Sequence, residues 1–129
     1  MAKWVCFSWN GQTRLGTLDG DNISVCGNVL FAKPAPTGEN VALSDVELLA
    51  PFTPNSILAL WNNFHQRAKA EGQTIPTNPL YFMKPVTSVI GPNQTICRPR
   101  GYRGGVKFEA EIGVVIGRRC SNIGADEVD

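Results

Sequence analysis

The sequence predicts an α+β fold that is mostly β. Three observations point there. Short runs of strand-forming residues alternate with turn dipeptides in the first fifty residues, short continuous apolar runs follow, and a single segment carries helix chemistry.

Trp4-Val5-Cys6-Phe7-Ser8-Trp9 is rich in residues that pack well on a pleated surface. Asn10-Gly11 comes next, and both residues tolerate the positive φ of a type I′ hairpin turn. Thr13 to Leu18 reads as the return strand, Asp19-Gly20 as a second turn and Asn22 to Cys26 as a third strand. Lys33-Pro34-Ala35-Pro36-Thr37-Gly38 is expected to be loop, since two prolines and a glycine oppose regular structure. Residues 1–50 are therefore expected to form a small β-module. A boundary is expected near Leu49-Ala50-Pro51-Phe52-Thr53-Pro54, where the prolines bias their predecessors to extended backbone. A second domain would occupy residues 51–129.

In that second part, Ser56 to Trp61 suits a short buried strand. A helix is expected from about Phe64 to Glu71, capped by Asn62 or Asn63 and ended by Gly72. Leu80 to Met83 reads as another buried strand, stopped by Lys84-Pro85, and Gly91-Pro92-Asn93 as a turn. Arg98 to Gly105 is a glycine- and arginine-rich loop, and Val106 to Ile116 has the clearest strand pattern. Ser121 to Asp129 looks like a turn opening an acidic first helical turn. No apolar turns follow it, so the chain is expected to stop within an element.

Composition narrows the function classes. The 129 residues are 18% charged and 43% hydrophobic with a formal net charge of +1, so no charge imbalance draws the protein to nucleic acid or membrane. No apolar run approaches the roughly 20 residues that span a bilayer, and the N-terminus lacks signal-peptide regions. A cytoplasmic protein is expected. Cys6, Cys26, Cys97 and Cys120 form no C-x-x-C and are expected to be reduced packing residues. Asn93-Gln94-Thr95 matches a glycosylation sequon, which without secretion is a chance match.

The chemistry-bearing motif lies in Val106-Lys107-Phe108-Glu109-Ala110-Glu111-Ile112. On a strand, Val106, Phe108, Ala110, Ile112, Val114 and Ile116 make one apolar face, and Glu109 and Glu111 share the other. Their Cβ atoms would stand roughly 6–7 Å apart. Two such carboxylates are hard oxygen donors that suit Mg²⁺, Mn²⁺ or Ca²⁺ over zinc. The plain alternative is a half-exposed strand with two solvated glutamates beside Lys107. Against it, Gly113, Val115 and Gly117 on the same face read as buried, and a charged pair leading into a buried strand needs compensation.

Phe108-Glu109-Ala110-Glu111-Ile112-Gly113-Val114-Val115-Ile116-Gly117 resembles the E-x-E-L-x-V-V-I-G segment of the fumarylacetoacetate hydrolase family. Leu48-Leu49-Ala50-Pro51, Pro79 to Pro85 and Ile90 to Ile96 resemble, in the same order, its L-L-A-P-V, P-x-x-F-x-K-P and I-G-P-x-x-x-I segments. Residues 1–50 are similar to the β-module that precedes the catalytic domain in many members.

The resemblance implies a mixed β-sandwich roll from residue 51 onward, truncated at its C-terminus, and a homodimer. It implies Mg²⁺ or Mn²⁺ bound by Glu109, Glu111 and a later aspartate that would lie past Asp129. The implied substrates are small 2-oxo acids. Implied reactions are C–C hydrolysis, decarboxylation, hydration and isomerisation through a cation-stabilised enolate.

The family's acid–base pattern, N-Y-x-x-H-A-x-E, fits imperfectly. With Asn63-Phe64 matched to N-Y, the histidine slot holds Arg67 and the glutamate slot Ala70; His65 comes two residues early and Glu71 one residue late. His65 and Glu71 are the candidate catalytic pair. Their spacing of six does not put them on one helix face, whereas Arg67 and Glu71, at i and i+4, would pair. Lys84 is the candidate for the substrate carboxylate, or a structural lysine at a strand end.

Two other readings compete. Arg98-Pro99-Arg100-Gly101-Tyr102-Arg103 mixes arginine with an aromatic residue, as RNA-binding segments do, but it is short in a near-neutral chain. A catalytically inactive fragment or non-enzymatic β-module is the second. An unpaired strand with an apolar face would make the isolated chain inactive and poorly soluble.

Overall fold

In a computed structural model of the chain, residues 2–27, 30 and 32–128 are described. The chain divides into two compact units, residues 1–94 and 95–129.

The first unit begins with an antiparallel meander. Strands β1 (Trp4–Trp9), β2 (Gln12–Asp19), β3 (Asn22–Cys26) and β4 (Pro36–Ala42) follow one another, and β5 (Glu47–Leu48) returns beside β1, giving the order β4-β3-β2-β1-β5. Asn10 (φ 50°) and Gly11 (φ 74°) make the first hairpin as expected, with Trp9 opposite Gln12.

The module has five strands where the sequence pattern indicated three. The expected loop at Lys33–Gly38 gives way to β4 from Pro36, which pairs with Cys26 past a register shift between Ser24 and Cys26. Proline is tolerated there because an edge strand need not donate every N–H to a ladder.

Alternation sorts the side chains of this sheet. Phe7, Ile23, Val25 and Val41 form the buried core, with Val5, Trp9, Leu18 and Leu48 packed against them. Cross-strand pairing brings these residues together: Val41 opposes Ile23, Ile23 opposes Leu18, and Leu48 opposes Phe7. Gly16 leaves the space that Phe7 fills. A Cβ there would stand 2.5 Å from Ile23 Cγ2 and 3.3 Å from Phe7 Cε1.

Cys6 and Cys26 flank Leu15 on the other face, two strands apart, or roughly 9–10 Å by strand spacing, beyond disulfide reach. Burial pushes the Cys6 thiol above its usual range, as suits an unreactive packing residue. All four cysteines are free.

After β5 the chain passes Pro51 and enters a two-stranded antiparallel pair, β6 (Ile57–Trp61) with β7 (Leu80–Lys84), whose connection carries the helix α1 (His65–Ala70). Both strands were expected to be buried. They pair with each other but remain uncovered, with Tyr81 70% and Met83 71% exposed.

The Gly91–Gln94 turn forms as expected, with Asn93 at φ 61° and the Gln94 N–H donating to the Gly91 carbonyl at 3.4 Å. It lies against the exit of β5. A Cβ on Gly91 would be 3.2 Å from the Ala50 nitrogen.

The second unit departs most from expectation. Val106–Ile116 forms no ladder, and Phe108 is 97% exposed. Its alternation suits a strand, but a strand exists through a ladder to a neighbouring strand, and no ladder forms with it among the described residues. At the end, the acidic turn is a single 3₁₀ turn, Ala125–Glu127, in which the Gly124 N–H donates to Glu127 Oε2 at 2.7 Å. No helix among the described residues is long and apolar enough to cross a membrane.

Candidate functional site

Of the five candidate residues, His65, Glu71 and Lys84 lie in the first unit and Glu109 and Glu111 in the second. In the first unit α1 sets the geometry. Its N-cap is Phe64, with no side-chain cap bond, so neither asparagine caps it. Asn62 instead takes positive φ (53°) and donates its amide to the Thr74 carbonyl at 3.0 Å, tying the two ends of the helical excursion together.

The helix ends as the sequence predicts. Gly72 has φ 67°, its N–H donates to the Lys69 carbonyl at 3.2 Å, and the Gln73 N–H reaches back to Ala68 at 2.8 Å. Together these two bonds make a Schellman motif, which needs a left-handed residue at the glycine.

This reversal builds a small polar cluster. Arg67 Nε lies 3.0 Å from Glu71 Oε1, and Gln73 Nε2 donates to Glu71 Oε2 at 3.2 Å. Both carboxylate oxygens of Glu71 are thereby engaged. No hydrogen bond or ion pair joins His65 to Glu71 among the described residues, so the structure brings Glu71 to Arg67 and Gln73. The i,i+4 spacing made Arg67 legible in advance. Gln73 was not, because its approach depends on the chain reversal at Gly72.

Lys84 closes β7 opposite Ile57, and its Nζ lies 5.8 Å from the centroid of the Phe82 ring, on the same face of the strand. That cation–π contact orients the ammonium without neutralising it.

The second unit has its own local order. Arg98 donates to the Gly104 carbonyl at 3.1 Å and the Tyr102 hydroxyl to Gly105 at 3.2 Å, closing the Arg98–Gly105 loop on itself. The Tyr102 ring lies where a side chain on residue 104 would stand, which accounts for Gly104. Glu109 and Glu111 follow in the exposed segment. Their carboxylates are donors of the kind a hard cation takes, but the segment that carries them is not a strand, so no ladder fixes them on one face. Among the described residues no group of three or more His, Cys, Asp or Glu side chains could hold a metal ion.

Comparison with known proteins agrees with the motifs. Residues 2–51 match the family described as Rv2993c-like, N-terminal, and residues 56–129 match that described as Fumarylacetoacetate (FAA) hydrolase C-terminal. The chain is 37% identical over 95 residues to Protein Rv2993c of Mycobacterium tuberculosis, covering 74% of this chain and 36% of that protein. It is 38% identical over 71 residues to 2,4-didehydro-3-deoxy-L-rhamnonate hydrolase of a Sphingomonas strain, covering 55% of this chain and 25% of that protein. A solved structure of a putative uncharacterized protein from Mycobacterium abscessus superposes with a TM-score of 0.65 at 28% identity, covering 77% of this chain and 39% of that one. The chain spans about a third of the length of the first curated relatives it matches. With more than half its residues matched to the second of these, this chain belongs to the fumarylacetoacetate hydrolase family.

Proposed function

We propose that the chain forms part of a divalent-metal-dependent enzyme acting on small 2-oxo acids. The reaction would be C–C bond hydrolysis or the related hydratase, isomerase or decarboxylase reaction. The observation that carries this reading is Glu109-Ala110-Glu111 inside the segment that matches the hydrolase family. Glu109 and Glu111 would hold Mg²⁺ or Mn²⁺, with Ca²⁺ compatible with the same oxygen donors. When bound, such a cation supplies the positive charge against which an enolate develops.

The remaining roles fall to side chains of the first unit. Lys84 would meet the substrate carboxylate with an ammonium held by the Phe82 ring. Glu71, oriented through both oxygens by Arg67 and Gln73, would accept or return a proton. His65, exposed on the first turn of α1, is the other proton-handling group of this helix. A cytoplasmic homodimer is part of the same reading.

The competing reading, an inactive fragment or non-enzymatic β-module, draws on the open Val106–Ile116 segment and the lack of a third ligand among the described residues.

Oxalate separates the two, because it is a planar mimic of a 2-oxo acid enolate. Mn²⁺ should bind the protein carrying this chain more tightly with oxalate present and no more tightly with succinate. An equal response to both diacids would remove the 2-oxo acid assignment.

A further inference from the structure

Leu48–Ala50 and Gly91–Gln94 lie far apart in sequence, yet they meet backbone to backbone. A Cβ on Gly91 would stand 3.2 Å from the Ala50 nitrogen, 3.4 Å from the Leu49 carbonyl carbon and 3.5 Å from the Leu48 carbonyl oxygen. All three are main-chain atoms, so none can swing aside as a side-chain tip would. Backbone freedom does not explain this glycine. Gly91 is not among the residues with positive φ, and a residue before proline favours the extended backbone that any residue adopts. The position requires the absence of a side chain at a close approach.

The turn is built to hold that approach. Pro92 and Asn93 occupy its centre, and a proline followed by a residue at φ 61° makes a type II turn. Its mouth is closed twice. The Gln94 N–H donates to the Gly91 carbonyl at 3.4 Å, and the Gly91 N–H donates to Gln94 Oε1 at 2.8 Å.

Burial marks the same place. From Thr77 to Gln94 every residue is exposed except Val89 and Gly91. On the other side of the contact, Leu48, Leu49 and Ala50 are half-buried between exposed Glu47 and Pro51.

Strand β5 has little of its own to hold it. It is two residues long, where strands usually run to about five or six, and it pairs with β1 at Phe7–Leu48 and Ser8–Glu47. One further bond runs from the Leu49 N–H to the Cys6 carbonyl at 2.8 Å. On the side of the turn, a short stiff path leads back to β7. Pro85 follows the strand, and Val86–Ser88 makes a 3₁₀ turn in which Ser88 Oγ donates to the Pro85 carbonyl at 2.7 Å and the Val89 N–H to the Val86 carbonyl at 3.2 Å.

We infer that the Gly91–Gln94 turn is a latch. It seats on the backbone of β5 and fastens the exit of β7 to the β-module, so that β5 opens more readily when the turn is loosened. Through Leu48, which opposes Phe7, the latch reaches the core of the module. The inference does not depend on the 2-oxo acid reading, because no candidate site residue makes the contact.

Amide hydrogen exchange of the intact chain, followed by NMR, tests it. Leu49 reports on β5, and Leu18 and Leu43, bonded to the Lys3 and Asp21 carbonyls, report on the rest of the sheet. Gln94→Ala adds no atom to the contact but removes the acceptor of the Gly91 N–H. It should speed exchange at Leu49 roughly 3–10-fold, as suits one hydrogen bond lost from a locally opening unit, and leave Leu18 and Leu43 unchanged. Gln94→Glu keeps an acceptor and should restore the parent rate. Gly91→Val, which presses a side chain against β5, should speed exchange at Leu49 at least about tenfold, and at Val89 with it. A Leu49 rate unchanged in both Gln94→Ala and Gly91→Val, or Leu18 and Leu43 accelerated as much as Leu49 in Gln94→Ala, overturns the inference.

Discussion

Arg67 and Glu71 stand one helical turn apart and meet at 3.0 Å, Nε to Oε1, so Glu71 is held by a guanidinium of its own excursion and not by His65. Both side chains are nearly half exposed, and an exposed pair at this spacing contributes only about 0.3–0.5 kcal/mol. Arg67→Ala and Glu71→Gln should therefore each change the unfolding free energy by no more than that in urea titration. If Glu71 handles the proton, Glu71→Gln lowers kcat roughly 100-fold or more at unchanged stability. Turnover unaffected by Glu71→Gln would take Glu71 out of the mechanism.

Gly16 is required for its lack of a side chain. A Cβ would meet Ile23 Cγ2 at 2.5 Å and the Ser24 carbonyl oxygen at 2.7 Å, and the latter is backbone that moves only with β3. Gly16→Val is expected to cost roughly 1–3 kcal/mol by overpacking, read from thermal unfolding of the β-module. Stability equal to the parent would mean that β3 does not approach Gly16 this closely.

Glu39 should titrate low. The Arg14 guanidinium reaches across β3 to grip it through both oxygens, at 2.7 and 3.3 Å, and stacks 5.6 Å from the Trp9 ring centroid. That hydrogen bond holds the Glu39 carboxyl below the usual glutamate range, with Thr37 assisting. A depressed folded value means that the pair's contribution is present above the unfolded pKa, about 4.3, and is lost as pH falls through the folded one. An NMR titration of the Glu39 carboxyl should give a midpoint below the ordinary glutamate range, and it should move up in Arg14→Ala. An unchanged midpoint in that variant would mean the pair is not formed in solution.

Phe108 is 97% exposed, and Ile112, Val114 and Ile116 are nearly as open. An apolar segment of this kind is an association hazard. The isolated chain should bind a hydrophobic dye and self-associate with rising concentration. Phe108→Lys should reduce both while the β1–β5 sheet stays folded. A monodisperse parent with no dye binding would mean that this segment is covered in solution.

What could be read from sequence follows how local each feature is. The Asn10-Gly11 hairpin and the Gly72 helix stop depend on a few adjacent residues whose φ preferences are written in their side chains. Strand β4 escaped because Pro36 and Gly38 carry loop chemistry, and only its place at a sheet edge makes them acceptable. Strand β5, two residues long, is too short to show alternation. Val106–Ile116 is the reverse case. Its alternation is plain, but whether it becomes a strand depends on a partner that no local pattern supplies. In the candidate site, Arg67 with Glu71 followed from helical spacing. Gln73 did not, since its place arises from the fold of the whole Trp61–Leu80 excursion.

If Glu109 and Glu111 together grip a hard cation, Mn²⁺ titration followed by paramagnetic broadening of backbone NMR signals shows it most directly. Signals of residues 108–112 should broaden first, at metal concentrations on the order of 1 mM, as suits a site with two protein carboxylates. Glu109→Ala and Glu111→Ala should each abolish that broadening, and Glu47→Ala should leave it unchanged. Broadening that centres on Asp126 and Glu127 instead, or that persists around residue 110 in both variants, would contradict the account.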